Sequence, residues 1–293
     1  MEWFILAFIS ALFSAASAVS EKKALFSLDA LNFSFIVSTA TLVFSLPFFL
    51  SVNISTVSSS GLIILFIKTI LSAGAFMCVM LSMKNMEISE ALPLLGLSPA
   101  LVAIGGVILV NDILSGTEWL GIALMAAGAY VLELKKGIKN PLEPFKALFS
   151  FSKYAYVFYA LLLFTATSLI DRFLLKGDKF PPYTFMAFQQ LFYAVVFALV
   201  ILAKKRNAFK MVKELNRNTI YLIIAVALFT VIYRYTQIEA TKMAPVALVL
   251  SIKRLSVLFA VVYGGRMFSE ENLYRRIAAV VIILIGTALL LSH

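Results

Sequence analysis

The sequence predicts an all-α integral membrane protein, with ten transmembrane helices arranged as two inverted five-helix repeats. Three observations predict it. First, 62% of the 293 residues are hydrophobic and the mean hydropathy is +0.98, whereas soluble domains run at about 45–50% apolar. Second, the apolar residues fall in runs of roughly 20, the length a helix needs to cross a bilayer, with short polar stretches between them. Third, the pattern of the first half recurs in the second half, in the same order.

The first span covers Trp3 to Ser20. Ser10, Ser14 and Ser17 alternate with Ala7, Ala11 and Ala18; small residues let membrane helices approach closely. A hydroxyl-lined cavity wall is the alternative use of that face. Glu21-Lys22-Lys23 closes the span. Residues 14–18 resemble a signal-peptide cleavage site, but no Lys or Arg precedes Lys22. A secretory signal begins with a basic region, so this stretch reads as an uncleaved span.

The second span runs from Ala30 to Leu50, with Pro47 near its end, and an uncharged loop from Ser51 to Ser60 follows. The third, Gly61 to Met83, contains Lys68, which can snorkel to the near interface or serve the interior. The fourth, Ser89 to Val110, contains Pro93 and Pro99. Each proline removes a backbone donor and clashes with the preceding turn, so a bent or broken helix is expected. The fifth covers Thr117 to Leu134.

The longest polar connection, Glu133 to Lys153, divides the chain into a first repeat at 1–136, a basic connecting loop at 137–153 and a second repeat at 154–293. The sixth span, Tyr154 to Leu175, carries Thr165, Thr167 and Ser168, with Asp171-Arg172 near its end. The seventh starts at Pro181-Pro182, reaches Ala203 and contains Gln189 and Gln190. A second basic loop, Lys204 to Asn218, precedes the eighth span, Thr219 to Thr241. There Arg234 stands between Tyr233 and Tyr235, with Gln237 and Thr241 on its helix face. The ninth span, Ala244 to Gly265, has Lys253 and Arg254 at its midpoint, and the tenth covers Leu273 to Leu291.

The net charge of +10 raises nucleic-acid binding as a function. Its cations lie mostly in connecting loops, where the positive-inside bias places them, and no basic patch interleaved with aromatics lies outside the spans. The loops after the odd-numbered spans hold most of the Lys and Arg, which puts those loops in the cytoplasm and both termini outside. Cys78 is the only cysteine and His293 the only histidine, which excludes an intrachain disulfide, a cysteine–histidine metal centre and an imidazole relay. No metal or other cofactor is expected. The partners are the lipid bilayer and a small molecule, either as a monomer or as a homodimer. No mid-span carboxylate stands out as a proton carrier, which points to exchange rather than proton coupling.

The repeat is visible residue by residue. An offset of 150 sets Ser34-Phe35 against Thr184-Phe185, and Glu21-Lys22 against Asp171-Arg172. Six further residues in the second half bring Ala91-Leu92 opposite Ala247-Leu248, and two more bring Gly128 opposite Gly286. A unit of five spans crosses the membrane an odd number of times, so two such units in one chain are inverted.

These residues resemble a known family. Leu97-Ser98-Pro99-Ala100-Leu101, then Gly121 and Gly128-Ala129-Tyr130-Val131-Leu132, form one end-of-half pattern. Lys253-Arg254-Leu255-Ser256-Val257-Leu258-Phe259, then Phe268-Ser269-Glu270 and Gly286, form the other. The whole is similar to the EamA type of the drug/metabolite transporter superfamily. In that family a glutamate follows the fourth helix of each half; Glu270 matches it and Asn111-Asp112 departs from it. The resemblance implies a ten-helix secondary transporter of a prokaryotic cell membrane, and no enzyme. The Lys253-Arg254 pair is in addition similar to the pair with which plastid triose-phosphate/phosphate translocators of the same superfamily hold a phosphate.

Two charges at mid-span cost about 2.5–3.5 kcal/mol each on insertion scales. An anion in a central cavity offsets that cost: Arg254 can fork two oxygens, and Lys253 acts as a point charge. The expected substrate site is Lys253, Arg254, Arg234, Tyr233, Gln237, Ser98 and Lys68. The alternative is a structural ion-pair network using Glu239, Glu87, Asp171 or Glu21. Glu21, Lys22, Asp171 and Arg172 occupy matching places in the two halves and are either gates at the two faces or solvated helix ends. The substrate is then a small anionic metabolite; an amino acid or amphiphilic metabolite, exported with the pair in a carboxylate-binding or structural role, is the competing reading.

Overall fold

The computed structural model describes residues 2–52, 58–97, 100, 101, 104, 107, 115–133, 151–175, 181–213, 215–243, 249 and 252–290. All regular structure among them is helical: α1 Glu2–Ala24, α2 Ala30–Phe49, α3 Ser59–Asn85, α4 Ile88–Leu95, α5 Gly116–Glu133, α6 Phe151–Leu175, α7 Pro182–Ala203, α8 Ala208–Lys213, α9 Arg217–Met243, α10 Leu255–Met267 and α11 Leu273–Leu290. Among the described residues, five of these (α1, α2, α3, α7 and α9) are long and apolar enough to cross a membrane. The protein is an integral, multi-pass membrane protein.

Local chemistry starts the helices where the structure finds them. The Asp29 side chain accepts the Asn32 N–H at 2.9 Å and caps α2. Ser58 accepts from Gly61 at the head of α3. Ser115 and Glu118 cap α5 reciprocally: Ser115 N–H donates to Glu118 at 2.6 Å, and Glu118 N–H donates to Ser115 Oγ at 3.3 Å. Proline opens α7, where its missing N–H costs nothing. Within the spans, hydroxyls bond back to their own helix. Ser34, Thr41, Thr69, Ser82, Thr165 and Thr287 each donate to the carbonyl four residues earlier, as groups cut off from water must.

The helices pack in recurrent pairs. The most extensive interfaces join α5 to α11, α1 to α9, α3 to α6 and α2 to α7. The small-residue face of α1 is a packing face: Ser10 is fully buried and donates to the Tyr233 carbonyl at 2.8 Å, and Ala7 and Ala11 are fully buried. Between α5 and α11 the backbones meet at glycine. A Cβ on Gly128 would lie 2.9 Å from the Ala279 carbonyl and 2.5 Å from Ile283 Cγ1, and one on Gly286 would lie 2.6 Å from the Gly121 carbonyl and 2.9 Å from Met125 N.

Four expectations are corrected. The first helix does not end at Ser20; α1 continues to Ala24 and carries Glu21 and Lys22 inside, 9% and 6% exposed, so neither is a solvated helix end. The ninth span is interrupted at the basic pair: Val249, Ile252 and Lys253 are helical and Arg254 is a turn residue. α10 begins at Leu255, with Arg254 at its N-terminal boundary. A short extra helix, α8, lies in the basic loop after α7. Lys68 does not snorkel: it is 1% exposed. The bend expected in the fourth span is present. α4 stops at Leu95, Gly96 and Leu97 turn, and Ala100, Leu101, Ile104 and Val107 are helical again.

Candidate functional site

Lys253 and Arg254 stand immediately before the first residue of α10, both half-buried. α9 supplies the surface opposite Lys253. Tyr233 and Gln237 are four residues apart and share a helix face. The Lys253 ammonium donates to Gln237 Oε1 and lies 5.2 Å from the centroid of the Tyr233 ring. The Arg234 guanidinium lies 5.9 Å from the same ring. An amide oxygen and an aromatic face stabilise a cation without neutralising it. Lys253 thus shares the Tyr233 ring with Arg234 and adjoins Arg254 in sequence.

The cationic strip continues to α3. Lys68 pairs with Asp171 of α6 at 2.7 Å, and its ammonium lies 5.1 Å above the Phe185 ring of α7. Arg234 acts electrostatically on Lys68 and is itself acted on by Asp171. Asp171, one of the acids that a structural network would assign to the Lys253–Arg254 pair, is thus the partner of Lys68. The structure brings Lys253, Arg234, Tyr233, Gln237 and Lys68 into one strip across α3, α9 and the head of α10. Ser98 lies outside the described residues, as does the Arg172 side chain.

A second cluster closes one end of the bundle. Lys22 donates to the Met83 carbonyl and, at 2.6 Å, to the Met86 carbonyl, so it holds the C-terminus of α3. The Glu270 carboxylate accepts the Ile88 N–H at 2.8 Å and the Ser89 N–H at 3.0 Å, and also the Ser89 hydroxyl. A carboxylate from the α10–α11 connection therefore caps α4, where the helix dipole favours negative charge. Arg276 donates to Ser89 Oγ at 2.6 Å and pairs with Glu87. Lys22, Phe26, Glu87, Phe268 and Glu270 line an open cleft of about 260 Å³ beside this latch. Glu21 points elsewhere: it accepts the Ser17 hydroxyl at 2.9 Å. The adjacent Glu21 and Lys22 thus do not form one gate.

Sequence reasoning missed Ser89 and Arg276 in this latch. The signal for Arg276 is its place in Arg275-Arg276 at the start of the last span, where a charge is ordinarily solvated. Three aromatics from α2, α7 and α9 form a cluster: the Tyr235 ring lies 5.6 Å from Phe48 and 6.0 Å from Tyr183. The sequence offers Tyr235 as a neutral partner of Arg234; in the fold its ring meets Phe48 and Tyr183.

The profile of the EamA-like transporter family matches residues 1–134 and 151–292. No curated protein matches the chain. A crystal structure of a protein of unspecified activity is similar over 98% of this chain and 95% of its own length, with a TM-score of 0.65 at 14% identity. At that identity the likeness shows the fold alone.

Proposed function

The chain belongs to the EamA-like transporter family, and on that premise we propose that it moves a small anionic metabolite by alternating access about the strip formed by Lys253, Arg254, Arg234, Tyr233 and Gln237. The chain is a membrane transporter and not an enzyme; the substrate class and the mechanism are the proposal. One observation carries it. Lys253 is held by a neutral amide and a ring, with Arg234 against the same ring and Arg254 next in the chain. Cations gathered in a membrane interior call for an anion to neutralise them.

Two inverted repeats supply the motion. The α5–α11 contact supports them. The offset of 158 that carries Gly128 to Gly286 also carries Gly121 and Met125 to Ala279 and Ile283, which are the residues the two glycines meet reciprocally. A contact that maps onto itself in this way is the mark of a two-fold axis. The same exchange of halves carries the α1–α9 interface onto the α6–α3 interface. The two matched segments, 1–134 and 151–292, support repeats at 1–136 and 154–293 joined by the basic loop. Each half can then rock against the other around the strip. The latch of Lys22, Glu270 and Arg276 holds one face closed, and Asp171 with Arg172 is assigned to the other. Exchange of one anion for another drives the cycle, in a prokaryotic cell membrane with both termini outside, as a monomer or homodimer.

Uptake into proteoliposomes tests the site. Lys253→Ala and Arg254→Ala should abolish transport while the protein remains inserted and monodisperse. Survival of uptake in both variants would sink the reading. The cluster of Phe48, Tyr183 and Tyr235 favours a second reading, export of amphiphilic metabolites or amino acids. Competition between phosphorylated compounds and amino acids separates the two.

A further inference from the structure

A glutamine amide buried in a bundle without a partner is expensive, because it gives up its bonds to water and gains none in return. Gln189 of α7 is 1% exposed, and among the described residues neither its Nε2 nor its Oε1 has a hydrogen-bond partner. Leu or Met would fill the same volume without that cost. An amide kept under these conditions is explained by a partner that comes and goes.

Its neighbours say where that partner lies. Phe185, Gln189 and Tyr193 are spaced by four residues and share one face of α7. The Phe185 ring sits against the Lys68 ammonium of α3. Gln189 thus stands one turn along α7 from Phe185, the residue that meets the ammonium of the Lys68–Asp171 pair. That pair connects electrostatically to Arg234, and Arg234 to Lys253.

We propose that Gln189, beside Lys68 and Asp171, is a second subsite of the transport site, and that it takes an uncharged hydrogen-bonding group, a hydroxyl or amide, on the anionic substrate. This rests on the anion reading above. The Lys68–Asp171 pair decides the class: the two charges already neutralise one another at 2.7 Å, so Lys68 is not left as a free cation for a second anionic group at this end, whereas a hydroxyl can donate to Gln189 Oε1 and accept from Nε2. The substrate is therefore charged at one end, facing Lys253 and Arg254, and neutral but polar at the other.

Matched ligands test it by calorimetry on the full chain in detergent: glycerol 3-phosphate against n-propyl phosphate, and glycerate against propanoate, with inorganic phosphate as the reference anion. The wild-type protein should bind the hydroxylated member of at least one pair about tenfold more tightly. Gln189→Leu should erase that preference, leave the apolar member within about twofold, and leave the melting temperature of the unliganded protein unchanged or higher. Equal affinity for both members of each pair in the wild type overturns the proposal, as does a preference that persists in Gln189→Leu. So does a lower melting temperature with both members weakened alike, which is a structural role. Gln189→Met is the second variant, and failure of both variants to fold counts against the proposal in the same way. The underlying reading fails separately: inorganic phosphate and both apolar anions then fail to bind, or bind Lys253→Ala as well as wild type, and the subsite falls with it.

Discussion

Removing the carboxylate of Asp171 strands a buried charge. Lys68 and Asp171 meet at 2.7 Å, with side-chain exposures of 2% and 29%. At an effective dielectric constant of 20 their attraction is ~6 kcal/mol. Desolvation of both groups cancels part of it, and breaking a buried pair from one side costs about 3–5 kcal/mol. For a chain of this size each kcal/mol lowers the melting temperature by roughly 2 °C, so Asp171→Asn should melt about 6–10 °C below wild type. Lys68→Met should cost less, because the acid it leaves behind is the more exposed partner. The double variant should recover most of the loss, since an apolar replacement of both partners leaves no charge stranded. Thermal unfolding in detergent, followed by size-exclusion chromatography, gives all four corners of the cycle. If Asp171→Asn melts within about 2 °C of wild type, or if the double variant is no better than Asp171→Asn, the pair is not the buried contact described and the reasoning fails.

Three further predictions follow from other contacts. Gly286→Val pushes a side chain into the Gly121 carbonyl and Met125 N, and backbone cannot yield; it should destabilise by about 1–3 kcal/mol or more, seen as a lower melting temperature, whereas Gly116→Ala, with open space around it, should not. Glu270→Gln weakens charge-assisted bonds to the Ile88 and Ser89 amides, each worth about 1.5–3 kcal/mol; hydrogen exchange at these two amides should accelerate, and unchanged exchange would remove Glu270 as the cap of α4. Arg254→Lys keeps the charge and loses the planar fork; it should raise the KM for an oxyanion about tenfold while a monovalent probe such as chloride is affected less, and equal effects on both would rule out bidentate binding.

The class of protein was legible from composition, because a bilayer admits only helices with satisfied backbones and long apolar runs. The bend of the fourth span was legible from the two prolines of its sequence, Pro93 and Pro99, since each removes a backbone donor and clashes with the preceding turn. The small-residue face of α1 was legible as a packing face, though its partner, α9, was not. Several site residues were named by a local rule, that a charge inside a span is costly and needs a reason. That rule picked out Lys253, Arg234 and Lys68 one at a time. It could not say that Lys68 belongs to Asp171, because the two lie on α3 and α6 and only their packing brings them together.

Glu21 and Lys22 show the same limit from the other side. As a sequence they are an acid and a base at a helix end, which reads as solvated. In the fold α1 continues past them, Lys22 reaches the carbonyls of Met83 and Met86, and Glu21 turns to Ser17. Gln189 had no local signal beyond being polar in a span; its burial without a partner exists only once α7 is packed on α3. Hydropathy and spacing are properties of a chain read along its length, so the sequence by itself determined the membrane class, the long apolar helices and the residue types that charge the interior. Which charges neutralise one another and which amide is buried without a hydrogen bond depend on distances between helices far apart in sequence, and electrostatic and hydrogen-bond energies fall off over a few ångströms. Only the tertiary structure could decide those.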